Sequence, residues 1–187
     1  MSKRDRRGKG YVVFLLLLCL LCFYLAREGC LSRVLEPPYV EKVYVYVPAG
    51  EELQEFNPVK EVLSAYVGVE NVCLRVYEGD GPEVHPGKNV SYVVFVRSSC
   101  ELIQVKGGVV IVGYSQLNFE RQLYRVVLSI CCWDVKRVYT LDGVVLIGFI
   151  ADETYHEVRV PVKGHYIRNV KPDPRVRISL LGRRGLC

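Results

Sequence analysis

The segment Val109–Cys132, VVIVGYSQLNFERQLYRVVLSICC, decides the fold. It opens with four branched apolar residues, Val109 to Val112, a run that suits a short strand and is apolar on both faces. A strand of that kind belongs inside a sheet that is covered on each side. After Gly113, Tyr114 and Ser115 the period changes. From Gln116 to Cys132, residues such as Leu117, Phe119, Leu123, Val126, Val127 and Ile130 recur at helical spacing around more than half the circumference. This spacing predicts a largely buried helix, with Ser115 as its N-cap. A buried strand running into a buried helix is the unit of a layered α/β domain.

The flanking sequence extends that unit. Val40–Val47 alternates, with Val43, Val45 and Val47 on one face, Tyr44 and Tyr46 on the other, and Pro48 ending the strand. Asn57 and Pro58 open a helix whose apolar face is Val59, Val62, Leu63 and Tyr66, and Gly68 closes it. Val72–Tyr77 alternates again, and the Gly- and Pro-rich stretch Gly79–Lys88 reads as a loop. Tyr92–Val96 and Val144–Ile150 are further runs apolar on both faces, and Tyr155–Val162 returns to alternation. The predicted order is β-α-β-β-β-α-β-β. The fold class is therefore α/β or α+β: a single layered domain over residues 40–170 with a mixed β-sheet and about two main helices. Two helices scarcely cover both faces of a sheet with three apolar strands, so a loop or a partner is expected over the remainder.

Upstream, MSKRDRRGKG carries a net charge of +4 and runs into the apolar segment Tyr11–Ala26. Sixteen residues make a helix about 24 Å long, shorter than the roughly 30 Å hydrocarbon core. A cleaved signal peptide needs a small-x-small site, but Tyr24 occupies the position two before Ala26, and Arg27 and Glu28 follow it. An uncleaved transmembrane helix over 11–26 is the expectation, with Lys9 and Arg27 snorkelling. The basic flank marks residues 1–10 as a cytoplasmic tail and places the rest outside, beginning with a Pro-containing stalk over 27–39. A soluble domain secreted after cleavage is the alternative. Residues 27–162 carry a net −5 and residues 163–187 a net +6, so a basic tail, 171–187, follows an acidic body. One Met, two Thr and many charges resemble a heat-adapted composition.

Export makes disulfides chemically reasonable, and Cys30, Cys73, Cys100, Cys131, Cys132 and Cys187 are the candidates. Cys19 and Cys22 spell C-x-x-C, but inside an apolar segment they lack the aqueous thiolate that redox chemistry needs. Asn89-Val90-Ser91 is a glycosylation sequon, which makes Asn89 a candidate. The strand, turn, Ser115 and helix succession resembles the nucleophile elbow G-x-S-x-G, except that Leu117 replaces the second glycine. A hydrolase would draw on Ser115 with His156 or His165 and a nearby carboxylate, because histidine is otherwise present only at His85. His156 shares its strand face with Val158, Val160 and Val162, whereas Glu157 points to the other face with Arg159, which suits a core histidine better than a metal ligand.

Nothing in these patterns specifies a cofactor or a metal site. The basic tail lacks the aromatic interleaving of a base-stacking surface, so nucleic acid is not an expected partner. The sequence reads as a single-pass, membrane-anchored extracytoplasmic domain of the cell envelope that binds or builds and does not catalyse. Its expected partners are the membrane through residues 11–26 and an envelope protein or a second copy of itself. A membrane-anchored serine hydrolase is the catalytic alternative.

Overall fold

The chain divides into two units, Met1–Pro37 and Pro38–Cys187. The computed structural model describes Leu20, residues 40–162 and residues 167–182. The stalk 27–39, the segment 11–26 apart from Leu20, and Cys30, His165 and Cys187 lie outside the described residues. Among those described, no helix is long and apolar enough to cross a membrane.

The second unit is a mixed α/β fold, with eight strands among the described residues. Five of them, β1 (Lys42–Pro48), β2 (Val72–Tyr77), β3 (Val90–Arg97), β4 (Leu102–Lys106) and β5 (Val109–Tyr114), form a mixed sheet in the order β2-β1-β3-β5-β4. The first four in that row are mutually parallel, and β4 pairs antiparallel with β5 at the edge. The other three, β6 (Val135–Leu141), β7 (Val144–Ala151) and β8 (Thr154–Pro161), make an antiparallel meander. Its hairpins turn at Asp142-Gly143 and Asp152-Glu153, all four with positive φ, as tight two-residue turns require. The expectation of one sheet is thus corrected to two.

Three α-helices lie among the described residues: α1 (Asn57–Val67), α2 (Phe119–Cys131) and α3 (Pro174–Leu181). Helices α1 and α2 contact both the large sheet and β8, so a helical layer lies between the sheets. Val43, Val45 and Val47 of β1, Val93 and Phe95 of β3, and Val110 and Val112 of β5 are buried against it. From the opposite side come Val145, Ile147 and Phe149 of β7 with Val158 and Val160 of β8. Burial of this apolar area is the main driving force, at about 25 cal/mol per Å² removed from water.

Two helix starts differ from the sequence expectation. Phe56, not Asn57, is the N-cap of α1, while Pro58 occupies the first turn as predicted. Helix α2 begins at Phe119 after a turn over 115–118, in which the Ser115 amide donates to the Asn118 side-chain oxygen (2.6 Å) and Ser115 O accepts from the Asn118 amide (3.1 Å). Ser115 is therefore a turn residue one turn upstream of the helix and not its cap. The larger correction is α3. Pro172, Pro174 and the arginines read as a basic tail from residue 171, yet Val176, Leu180 and Leu181 are buried in the core and α3 packs on β3, β4, β5 and α2. Asp173 caps it, accepting from the Arg175 amide at 3.0 Å.

The far face of the large sheet has no helix among the described residues. Tyr44, Tyr46 and Tyr92 tile it, with Tyr92 stacked on Tyr44 (5.7 Å between centroids) and Tyr46 (6.3 Å). Val84, from the loop over 78–89, packs on this cluster, and Tyr92 donates to His85 O (2.9 Å). The missing cover is therefore partly supplied by a loop, one of the two expected solutions.

A polar clasp ties the helices together. Tyr66 of α1 donates to Asp134 Oδ2 (2.8 Å), and Arg177 of α3 pairs with the same oxygen (2.6 Å). Arg177 also donates to Cys131 O at the end of α2 (3.3 Å) and lies over the rings of Tyr66 and Trp133.

Candidate functional site

Parallel strands aim their carboxyl ends, with the loops that follow, at one edge of the sheet, and in open α/β sheets ligands settle in the crevice there. β1 sends its chain through α1 to β2 on one side, while β3 and β5 lie on the other side. A cavity of about 1180 Å³ opens at this place. Glu51 and Glu55 reach it from the segment after β1, Arg97 to Ser99 from the end of β3, and Tyr114 to Leu117 from the end of β5. Phe119 and Glu120 of α2 and Pro161 of β8 complete the wall.

Three of these residues form a hydrogen-bonded trio. Arg97 Nε donates to Glu51 Oε1 (2.7 Å), and the Tyr114 hydroxyl donates to the same oxygen (3.0 Å). Burial, followed by the Glu51 carboxylate, raises the Tyr114 pKa well above its ordinary value of 10.0, so the phenol stays protonated and acts as a donor. Glu55 is also shifted upward, first by burial and then by the neighbouring carboxylates of Glu52, Glu51 and Glu120. The crevice therefore holds excess negative charge beside one guanidinium. Tyr114 and Phe119 pack ring to ring at 5.2 Å, and Leu117 at the rim is 93% exposed.

Ser115, a candidate from the sequence, lies on this wall, but among the described residues no histidine lines the cavity. His156 instead lines a second cavity of about 630 Å³ between α1 and β8, with Lys60, Ser64 and Glu157, and stacks on Phe149 at 5.6 Å. His156 does share the inner face of β8 with Val158 and Val160, and Glu157 accepts from Tyr139 on the outer face (3.0 Å). Asn89 is partly exposed, with positive φ and a side chain that donates to Glu41 (3.1 Å). The sequon's Ser91 is buried and donates to Ser179 O of α3 (2.8 Å).

Cys73, Cys100, Cys131 and Cys132 form no disulfide with one another, and the other two candidates, Cys30 and Cys187, lie outside the described residues. The places of the first four explain this. Cys73 lies on edge strand β2, Cys100 in the exposed loop before β4, and Cys131 and Cys132 at the end of α2. Burial, together with Asp134, pushes the Cys131 thiol far above its ordinary pKa, which keeps it unreactive. Among the described residues, no group of three His, Cys, Asp or Glu is placed to hold a metal ion.

Sequence reasoning missed Glu51, Arg97 and Tyr114. No local motif marks them, because three separate strand ends bring them together. The chain matches no family model, no curated protein and no solved structure.

Proposed function

We propose that this protein is a single-pass envelope protein, anchored through residues 11–26, whose extracytoplasmic α/β domain binds a ligand in the crevice at the carboxyl ends of β1, β3 and β5. The observation that carries the binding role is the Glu51–Arg97–Tyr114 trio inside a cavity of about 1180 Å³. Fixed donors and acceptors in a concave site orient a bound molecule. Binding is favoured over a Ser115–His156 hydrolase because, among the described residues, Ser115 shares its wall with no histidine and His156 lines the other cavity, while His165 lies outside the described residues. A general base must lie within hydrogen-bond reach of the nucleophile. The anchor and the outward orientation rest on the basic-then-apolar opening of the chain.

The exposed thiol of Cys100 provides the test. A membrane-impermeant maleimide, applied with and without reductant, should modify Cys100 in intact cells, and the protein should sediment with membranes. Modification only after lysis would overturn the export reading. A mature amino terminus beyond Ala26 would replace the anchored protein with a secreted one.

A further inference from the structure

Away from the crevice, α2 and α3 meet along a seam that leaves one indole and several cations at the surface. The Asp173 amide donates to Ser129 Oγ of α2 (2.9 Å), and one turn further along α3 Arg177 reaches Cys131 O and lies over the ring of Trp133. Trp133 is the single tryptophan of the chain and is 55% exposed. Trp is among the largest apolar side chains, so an indole left this open forgoes much of the burial it could gain. Helix α3 adds Ile178, also exposed, and Arg175 three residues before it on the same face. Arg168 and Lys171, on the approach to α3, are exposed as well. Arg175, and after it Arg125, hold the Asp173 carboxyl below its ordinary value, which places both guanidinium groups beside this helix start. The seam thus gathers five basic residues, Arg125, Arg168, Lys171, Arg175 and Arg177, against two carboxylates, Asp134 and Asp173, an excess of three positive charges.

We infer that the α2–α3 seam docks the domain on an anionic bilayer surface, with Trp133 and Ile178 at headgroup level and Arg168, Lys171 and Arg175 against lipid phosphates. An indole suits that depth because its ring is apolar while its N–H stays wet, and Arg or Lys beside it is drawn to an anionic surface. Arg177 is kept for the fold by Asp134 and braces the indole from behind. The inference rests on the anchored reading of the preceding section. An acidic protein would also answer the cations, but an anchor over residues 11–26 holds the domain beside a bilayer at all times, and tethering raises the effective concentration of that surface.

The full chain would be assembled into nanodiscs of phosphatidylcholine, alone or mixed equally with phosphatidylglycerol, each with brominated acyl chains that quench a nearby indole. Because Trp133 is the single tryptophan, its emission reports the seam alone. In the anionic discs the emission should move to the blue and be quenched, and high salt should reverse both changes. Arg168→Gln combined with Lys171→Gln, at exposed positions outside the clasp, should lower the docked-to-free ratio about twentyfold or more, at about fivefold for each basic residue near an anionic surface. Arg75→Gln, over the Tyr44 ring on the far face of the large sheet, should leave it unchanged. If the chain does not stay in the discs, anchor and docking fall together. If it stays and Trp133 is equally unquenched in both lipids, docking fails and the anchor stands. Quenching that ignores salt, or that survives the double substitution at full strength, also overturns the inference. Soluble polyglutamate that shifts Trp133 emission where phosphatidylglycerol does not would assign the seam to an acidic protein instead.

Discussion

Replacement of Arg177 by Met removes a guanidinium and keeps most of the apolar stem, so it isolates the clasp that joins the three helices. The side chain is 15% exposed and its partner Asp134 is 29% exposed. Breaking a fully buried ion pair costs about 3–5 kcal/mol, because the surviving charge is left without compensation. Here the survivor is better placed. Asp134 keeps the Tyr66 hydroxyl at 2.8 Å and some contact with water. The remaining losses are one charge-assisted bond, about 1.5–3 kcal/mol, and ring contacts of about 0.5–1 kcal/mol at partly exposed sites. The Met side chain restores part of the packing. The expected net cost is about 2–3 kcal/mol, or a fall in melting temperature of about 8–12 °C for a domain of this size.

Urea unfolding measured through Trp133 provides the assay, because this single tryptophan lies beside Arg177 with its ring centroid 5.8 Å from the guanidinium carbon. A double-mutant cycle with Asp134→Asn separates the pair from general damage. The coupling should exceed about 1 kcal/mol, because the two side chains meet at 2.6 Å where solvent screens them only in part. A coupling near zero, with both single variants destabilised independently, would refute the view that Arg177 secures α3 through Asp134.

Three other outcomes follow from named contacts. Asp173 caps α3 and its pKa is lowered from 3.8, first by the hydrogen bond from the Arg175 side chain; a depressed folded-state value means that its contribution is complete above about pH 4–5 and is lost as pH falls toward the folded value. Asp173→Ala should cost about 1 kcal/mol at neutral pH and flatten that acid limb in a pH series of unfolding curves. Gly148→Ala should destabilise by about 1 kcal/mol or less, because the new Cβ would displace the half-exposed Tyr155 ring toward water, and Gly148→Ala with Tyr155→Ala should recover part of the loss in thermal melts. Mass spectrometry after brief alkylation should find exposed Cys100 modified and buried Cys131 untouched until the protein unfolds, and equal reactivity of the two would contradict the burial of Cys131.

The strands that build the interior were readable because burial writes itself as apolar pattern. β1 alternates, and β3 and β7 are apolar on both faces; all three were expected within one or two residues of their observed bounds. β4 and β6 were missed for the complementary reason. They are edge strands, and Lys106, Lys136 and Arg137 point into water where no apolar period is imposed. Helix α3 was concealed by composition. Its prolines and arginines look like a tail, although Asp173-Pro174 is an N-cap followed by a first-turn proline, which is a helix-start signal. Gly113 is a further case of one residue with two explanations. It resembled the first glycine of a nucleophile elbow, but a Cβ there would lie 2.8 Å from Leu102 Cγ and 3.0 Å from Cys100 O, so the close approach of β4 is sufficient reason for it.

The crevice was illegible because register, not motif, creates it. Glu51, Arg97 and Tyr114 are separated by tens of residues, and only the strand order β1-β3-β5 makes their loops neighbours. That order also determines which trio can form. Arg97 and Tyr114 are direct partners in the β3–β5 register, one at the last position of each strand, so their side chains emerge on the same face as the Glu51 loop. A one-residue slip of β5 against β3 would turn Tyr114 to the far face and remove its hydrogen bond to Glu51. The buried apolar residues Val93, Phe95, Val110 and Val112 forbid that slip, since it would expose the core face of β5. The site is therefore held by the core rather than by its own polar contacts. Its geometry should survive loss of any one polar member, whereas a core change that loosens β5 should abolish binding without touching the crevice.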